Sequence, residues 1–179
     1  MSSMKKERSL IKCDASHITG LGALHRRMYE YLKREINYPR WREDYPSEET
    51  AARAIEEGAQ FALMEDGKII GAVVLNEDPA GTYEKGSWKR ELSEGEYLVI
   101  HSFTIDPELS GRGEGRVLAD ACIGYAKQHG YKAIRLDIVP GNIPAIKLYE
   151  GKGFTFAGCE DLERGLPDVT EFMLYELNF

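Results

Sequence analysis

The sequence predicts an α/β protein: one mixed β-sheet with helices on both faces, in a single domain spanning residues 1–179. Three observations carry that expectation. Apolar residues switch along the chain between the two-residue period of a strand and the three-to-four-residue period of a helix. Two strand-like runs meet across Asp66-Gly67, a strong hairpin signal, so part of the sheet is antiparallel. Other strand-like runs are separated by helical segments, as parallel strands require.

The elements follow in order. "SLIKC" (9–13) is a short apolar run that opens the sheet. From Ile18 to Ile36, apolar residues recur at Leu21, Leu24, Met28, Leu32 and Ile36, the spacing of an amphipathic helix. "NYPRWREDYPSEE" interrupts with prolines and aromatics. A second helix over 48–57 has Ser47 as N-cap, Glu48 and Glu49 in its first turn, and Gly58 beyond its end. "QFALMEDGKIIGAVVL" gives the two hairpin strands, and residues 77–96 form a polar connection longer than most. "YLVIHSFTI" (97–105) is a continuous β-rich run, hence a central strand. The next helix carries Val117, Leu118, Ala121, Cys122, Tyr125 and Ala126 on one stripe. "KAIRLDIV" (132–139) is a strand, and "NIPAIKLYEGKG" (142–153) a short helix with Asn142 as N-cap, Pro144 in its first turn and Gly153 past its end. "FTFAGCE" and "TEFMLYELNF" are two closing strands.

Composition excludes several function classes. With 179 residues, 42% hydrophobic, the chain can bury a full core. A net charge of −7 argues against nucleic acid as a partner, because phosphate backbones demand clustered Lys and Arg. The short basic "MKKERS" start reads as a frayed terminus. No apolar run approaches the ~20 residues of a membrane span, and the N-terminus lacks a signal-peptide core, so a cytoplasmic protein without membrane contact is expected. Cys13, Cys122 and Cys159 are odd in number and widely spaced, which reads as reduced, buried thiols. His17, His25, His101 and His129 make no zinc-binding spacing, so no metal is expected.

The chemistry concentrates in "IDPELSGRGEGRVLADACIGYAKQHG" (105–130), where Gly111, Gly113 and Gly115 fall between a strand and a helix. Such a turn offers unpaired N–H groups and a helix N-terminus to an anion, with Arg112 and Arg116 adding formal charge. A bland alternative is a tight turn needing glycine only for positive φ, for which one glycine would suffice. A Walker A loop is excluded, since no Lys-Ser or Lys-Thr follows the glycines. A dinucleotide fingerprint is weak: its last position falls on Arg116 or Leu118, although Asp137 lies about 20 residues on.

"FTIDPELSGRGEGRVL" resembles the acetyl-CoA-binding motif of the GNAT family of N-acetyltransferases, Q/R-x-x-G-x-G/A, with Ser110, Gly113 and Gly115 on its defining positions and Ser110 where Gln or Arg is usual. "NIPAIKLYEGKGF" is similar to the family's second motif at Asn142, Ala145, Tyr149, Gly153 and Phe154. The resemblance covers nearly the whole chain. It implies the acyl-CoA N-acyltransferase fold and acetyl-CoA as cosubstrate. The pantetheine arm would lie along Phe103, Thr104 and Ile105, pairing with backbone groups of Phe103 and Ile105. The amides of the segment Gly111, Arg112, Gly113, Glu114, Gly115 and Arg116 would hold the pyrophosphate beside Ser110. Asn142 would contact the pantetheine, and Tyr149 would lie near the thioester sulfur.

The activity so implied is transfer of an acetyl group to an amine by direct attack through a tetrahedral intermediate. That chemistry needs a neutral amine and a proton for the departing thiolate. Tyr149 suits the second task, though it also fits a core stripe with Ala145 and Leu148. For the base, His101 shares an alternating face with Tyr97, Val99, Phe103 and Ile105, and some family members carry a histidine at the corresponding strand position. A buried, hydrogen-bonded histidine is the competing reading, and Glu96 is the second candidate base. The acceptor pocket would draw on "NYPRWREDYPSEE" (37–49), where Trp41 and Tyr45 either line it or simply pack, on 77–96 and on "CEDLERGLPD". The 77–96 stretch carries six acids against three bases, a net of −3, which would favour a cationic amine if it forms the mouth. The acceptor, a small molecule or a peptide, stays open, as does a homodimer. A non-catalytic acyl-CoA-binding module is the rival from another class.

Overall fold

The computed structural model describes residues 6–179. Its elements are β1 (Arg8–Lys12), α1 (Ile18–Arg34), α2 (Glu48–Glu56), β2 (Gln60–Glu65), β3 (Lys68–Asn76), β4 (Tyr97–Ile105), α3 (Glu114–Gln128), β5 (Ala133–Ile138), α4 (Ile143–Gly151), β6 (Thr155–Glu160) and β7 (Phe172–Asn178). The strands form one seven-stranded sheet in the order β1-β2-β3-β4-β5-β7-β6. Only β4 and β5 pair in parallel; every other neighbouring pair is antiparallel, so the sheet is mixed.

Local chemistry sets the boundaries. Asp66 and Gly67 both take positive φ (49° and 73°), as a two-residue turn matching strand twist requires. The Ser47 hydroxyl accepts from the Thr50 amide, and Thr50 Oγ1 accepts in return from the Ser47 amide, closing the first turn of α2. Asn142 caps α4 through its side-chain oxygen, with a proline in the first turn. Helix α1 ends at Arg34 rather than Ile36, and Ile36 stands 63% exposed, two residues beyond the apolar stripe it was expected to extend.

Helices α1 and α2 pack Leu21, Leu24 and Ala51 onto Ala62 and Ala72 of β2 and β3. On the opposite face, α3 and α4 cover Leu63, Val73, Leu98, Ile100 and Ile134 with Leu118, Cys122 and Tyr149. The long 77–96 connection takes the place of a helix over the β4–β7 half, burying Tyr83 against Tyr97, Val99 and Leu174. A buried ion pair fastens it. The Arg135 guanidinium lies between the rings of Trp88 and Tyr97, 4.3 and 4.4 Å from their centroids, and 3.7 Å from Glu176. Arg135 also donates to the Arg90 carbonyl, and Glu176 accepts from the Lys89 amide.

Two expectations need correction. The basic start is not simply frayed: Met4 and Lys5 lie outside the described residues, but Lys6 pairs with Asp66, and Arg8 opens β1 and reaches Glu114 at 2.5 Å. Cys13 and Cys122 are buried free thiols, whereas Cys159 is exposed, because β6 is an edge strand. No helix among the described residues is long and apolar enough to cross a membrane.

Two departures from regularity shape the middle of the sheet. Strands β4 and β5 pair only at Tyr97, Leu98 and Val99, then diverge, leaving the β5-facing edge of residues 100–105 without a strand partner. In the β3–β4 register, Ala72 pairs with Thr104 and Val74 with His101, so Val73 alone stands opposite Ser102 and Phe103. This is a β-bulge, centred on Ser102 at φ 50°.

Candidate active site

Where β4 and β5 part, a cleft of about 1390 Å³ opens. One wall is the glycine loop and the start of α3, another is the start of α4, and the far side is the α1–α2 connection facing the 164–172 coil.

The loop is built for an anion. Gly111 and Gly113 take φ of 81° and 80°, so two of the three glycines are there for the backbone conformation, as the bland reading of the loop expects of glycine. Gly115 differs. It has no positive φ, and a Cβ there would meet only Leu148 at an ordinary 3.8 Å, so neither conformation nor packing demands glycine. The missing side chain leaves room on the cleft side. The Arg112 and Arg116 amides are taken by the Leu109 and Gly113 carbonyls, whereas those of Gly111, Gly113, Glu114 and Gly115 donate to no group among the described residues. The Glu114 side chain turns inward to Arg8, so only its amide can serve a ligand. Arg112 and Arg116 are exposed, and Arg116 lines the cleft. These features fit a pyrophosphate at a helix N-terminus.

The open β4 edge leads from that loop to the interior. Phe103 and Ile105 line the cleft, while Thr104 is buried and ties its hydroxyl to the Ser102 carbonyl. Ser110, Asn142 and Tyr149 also line it. The Tyr149 ring packs edge-on against Phe103 and Phe154 and is 5% exposed, so it belongs to the core stripe as well as to the cleft. Its hydroxyl makes no hydrogen bond among the described residues, and burial pushes its pKa well above the usual tyrosine value.

The bulge splits the face expected to carry His101 with Phe103 and Ile105. Tyr97 and Val99 belong to the side under the 77–96 connection, but past Ser102 the phase reverses, and Phe103 and Ile105 pack with α3 and α4. His101, on the near side of the bulge, still lines the cleft. Its Nε2 lies 2.8 Å from the Asp78 carbonyl and 3.1 Å from Asn76 Oδ1, and burial holds its pKa below the ordinary histidine value. Glu96 does not reach the cleft. It sits before the N-terminal end of β4, bound to Lys132 at 2.5 Å, and that ammonium keeps its carboxyl below the usual range. The acids of 77–96 do not form the mouth either: none lines the cleft, and Glu77 accepts from the Tyr131 hydroxyl elsewhere.

Asp137, Trp41 and Tyr45, each noted in the sequence, also line the cleft. Asp137 of β5, the dinucleotide motif's candidate acid, is held instead by both terminal nitrogens of Arg164 at 2.8 Å and by the Tyr83 hydroxyl at 2.6 Å. Tyr45 bonds the Ser102 hydroxyl at 2.7 Å, and Trp41 lines the same end. Most charges of this end are paired among themselves: Arg42 with Asp44, Arg53 with Glu49, Arg164 with Asp137.

Comparison with known proteins identifies the family. The model of the acetyltransferase (GNAT) family matches residues 25–154. The chain belongs to the GNAT acetyltransferase family. An N-acetyltransferase of Methanocaldococcus jannaschii, itself uncharacterized, is 32% identical over 99 residues, covering 55% of this chain. The match spans only 40% of that relative's length. Among solved structures, a GNAT-family acetyltransferase from Streptococcus agalactiae superposes with a TM-score of 0.77 at 17% identity, covering 99% of each chain. A Salmonella typhimurium protein solved with its cofactor acetyl-CoA gives 0.67 at 15%, over 96% of this chain and 94% of that one. At such identities these structures show the common fold.

Proposed function

We propose that the protein is an acetyl-CoA-dependent N-acetyltransferase acting on a primary amine of a small molecule or a peptide. One observation carries the reading: a single cleft joins an unpaired amide cradle, an open strand edge, and two side chains suited to moving protons in opposite directions. Acetyl-CoA would supply an activated acetyl thioester. The amides of Gly111, Gly113, Glu114 and Gly115, with Arg116 and Arg112, hold its pyrophosphate. The open backbone edge at Phe103 and Ile105, with Thr104 behind it, orients the pantetheine arm toward Ser110 and Asn142.

His101 is the general base. Its lowered pKa keeps the ring neutral at physiological pH, ready to accept the ammonium proton directly or through a water. Tyr149 is the general acid: apolar packing keeps the proton on its oxygen, and the same surroundings disfavour a bare thiolate beside it. The acceptor enters between the α1–α2 connection and the 164–172 coil, where Trp41 and Tyr45 give aromatic surface and most of the neighbouring charges are paired. Glu96 has no part in this scheme.

A panel of amines (polyamines, amino acids, peptides with free N-termini, aromatic amines) assayed for release of CoA thiol tests the reading. Acceptor-dependent thiol release supports it. Tight acetyl-CoA binding without release across the panel would replace the transferase with an acyl-CoA-binding module.

A further inference from the structure

The histidine proposed as base has two ring nitrogens, and only an unprotonated one can accept a proton. Nε2 faces two oxygens. The Asp78 carbonyl can only accept, and Asn76 Oδ1 is fixed as an acceptor because it already receives the Asp78 amide at 3.1 Å. Nε2 therefore carries the hydrogen, and Nδ1, which bonds to no described group, holds the free lone pair. The identity of the basic atom thus depends on where the Asp78 carbonyl sits.

Little in its own turn holds that carbonyl in place. The turn runs Asp78, Pro79, Ala80, with Ala80 at φ 53°, a conformation L-residues avoid. Its local supports are the Asp78 amide on Asn76 Oδ1 at 3.1 Å and the Ala80 amide on Asp78 Oδ1 at 2.8 Å. The rest comes from Arg164, 84 residues away along the chain: Nε donates to the Ala80 carbonyl at 2.7 Å and Nη2 to the Pro79 carbonyl at 2.9 Å. The same guanidinium is anchored bidentately on Asp137 and lies over the Phe172 ring at 4.7 Å. Only a planar fork can meet two carbonyls and a carboxylate at once, so lysine is no substitute.

We propose that Arg164 is a positioning residue for His101: by clamping the 79–80 carbonyls to Asp137 it fixes the Asp78 carbonyl that pins the imidazole as the Nε2–H tautomer and leaves Nδ1 as the basic atom. This rests on the assignment of His101 as base. The titratable and charged groups around the ring are Asp78 of the turn, Asp137 of β5, Arg164 of the coil, Tyr45 near Ser102 and Tyr83 on Asp137. Asp137 and Arg164 act on the imidazolium with opposite sign, the carboxylate favouring it and the guanidinium opposing it.

The test pairs nitrogen-15 NMR of His101 in the protein without ligand with pH profiles of kcat/KM. In the wild type the ring is expected as the Nε2–H tautomer; finding Nδ1–H would overturn the proposal whatever the variants do. Arg164→Gln should give a mixed tautomer, lower kcat by about tenfold or more, and move the acidic limb to higher pH by about half a unit or more, because Asp137 is left unopposed. Asp137→Asn should move the limb to lower pH. A merely structural role would not give opposite displacements, and wild-type tautomer and limb in both variants would overturn the proposal. Should Arg164→Gln not fold, the wild-type tautomer and Asp137→Asn decide. His101→Gln separates the two claims. If it keeps the acidic limb while Arg164→Gln still scrambles the tautomer, the base assignment fails and the positioning role stands.

Discussion

His25 offers a test of how this fold is held. The residue lies on α1, 3% exposed, and its Nδ1 has no hydrogen-bond partner among the described residues. Burial alone pulls its pKa from the ordinary histidine value of 6.5 to about 4. The folded state therefore binds the proton less readily than the unfolded chain, and the unfolded chain gains protons first as pH falls. The contribution to stability is fully present above about pH 7, and is lost as pH falls through 6.5 toward 4. At 1.36 kcal/mol per unit, the whole displacement corresponds to roughly 3 kcal/mol, of which about 2.5 is lost between about pH 7.5 and about pH 4.5. His25→Leu removes the titration and the orphan nitrogen together. Denaturant unfolding of both proteins at the two pH values gives a difference of differences in which shared carboxylate effects cancel. We expect the wild type to lose about 2.5 kcal/mol more than the variant over that interval. Equal losses would mean that His25 titrates normally in the folded protein, and burial without a partner would not describe its site.

The other predictions concern the cleft and the buried pair. Gly115→Val should raise the Kd for CoA at least about tenfold by calorimetry while the melting temperature moves by only a few degrees, since the site has a normal φ and no close neighbour. Gly113→Val, at φ 80°, should instead lose about 1–2 kcal/mol of stability before any ligand is added. Unchanged CoA affinity in Gly115→Val would mean that nothing approaches that backbone. Tyr149→Phe keeps the ring's packing and removes the proton; turnover should fall by roughly tenfold to a thousandfold with CoA affinity intact, and an unchanged chemical rate would leave Tyr149 a core residue only. Arg135→Met strands Glu176, 1% exposed, and should cost about 3–5 kcal/mol by urea unfolding. Arg135→Met with Glu176→Leu should recover most of that loss, and a double variant no better than the single would show that the aromatic sandwich, not the charge pair, holds the 77–96 connection.

Much of the framework was legible because it is written locally. The Asp66-Gly67 turn, the apolar period of α1 and the caps at Ser47 and Asn142 are short-range signals, and each element fell within a few residues of its place. The two resemblance motifs fell on the loop and helix that wall the cleft. What could not be read depends on contacts across the fold. Nothing in "VIHSFTI" announces a bulge: Ser102 is neither glycine nor proline, and its φ is supported by Tyr45, 57 residues away. Extrapolating the strand's alternation through it therefore grouped His101 with Phe103 and Ile105. Glu96 stood as the second candidate base until the fold put it at the wrong end of the strand, beside Lys132. Arg164 stood among polar coil residues, and only the folded chain brings it to Asp137. The acids of 77–96 suggested a mouth because their composition is visible, whereas the direction in which a loop folds is not.

The extra residue in β4 has a consequence beyond geometry. A regular strand keeps the two sides of a sheet apart, each with its own tenants. Here a single chain position lets one strand send His101 from the layer beneath the long connection and Phe103 from the layer beneath α3 and α4 into the same opening. The two side chains therefore rest on separate foundations, His101 in the layer of Tyr83, Asp137 and Arg164, Phe103 in that of Leu118, Leu148, Tyr149 and Phe154. Under the proposed roles, substitutions that reshape the first layer would alter the pH dependence of turnover without disturbing the packing around Phe103.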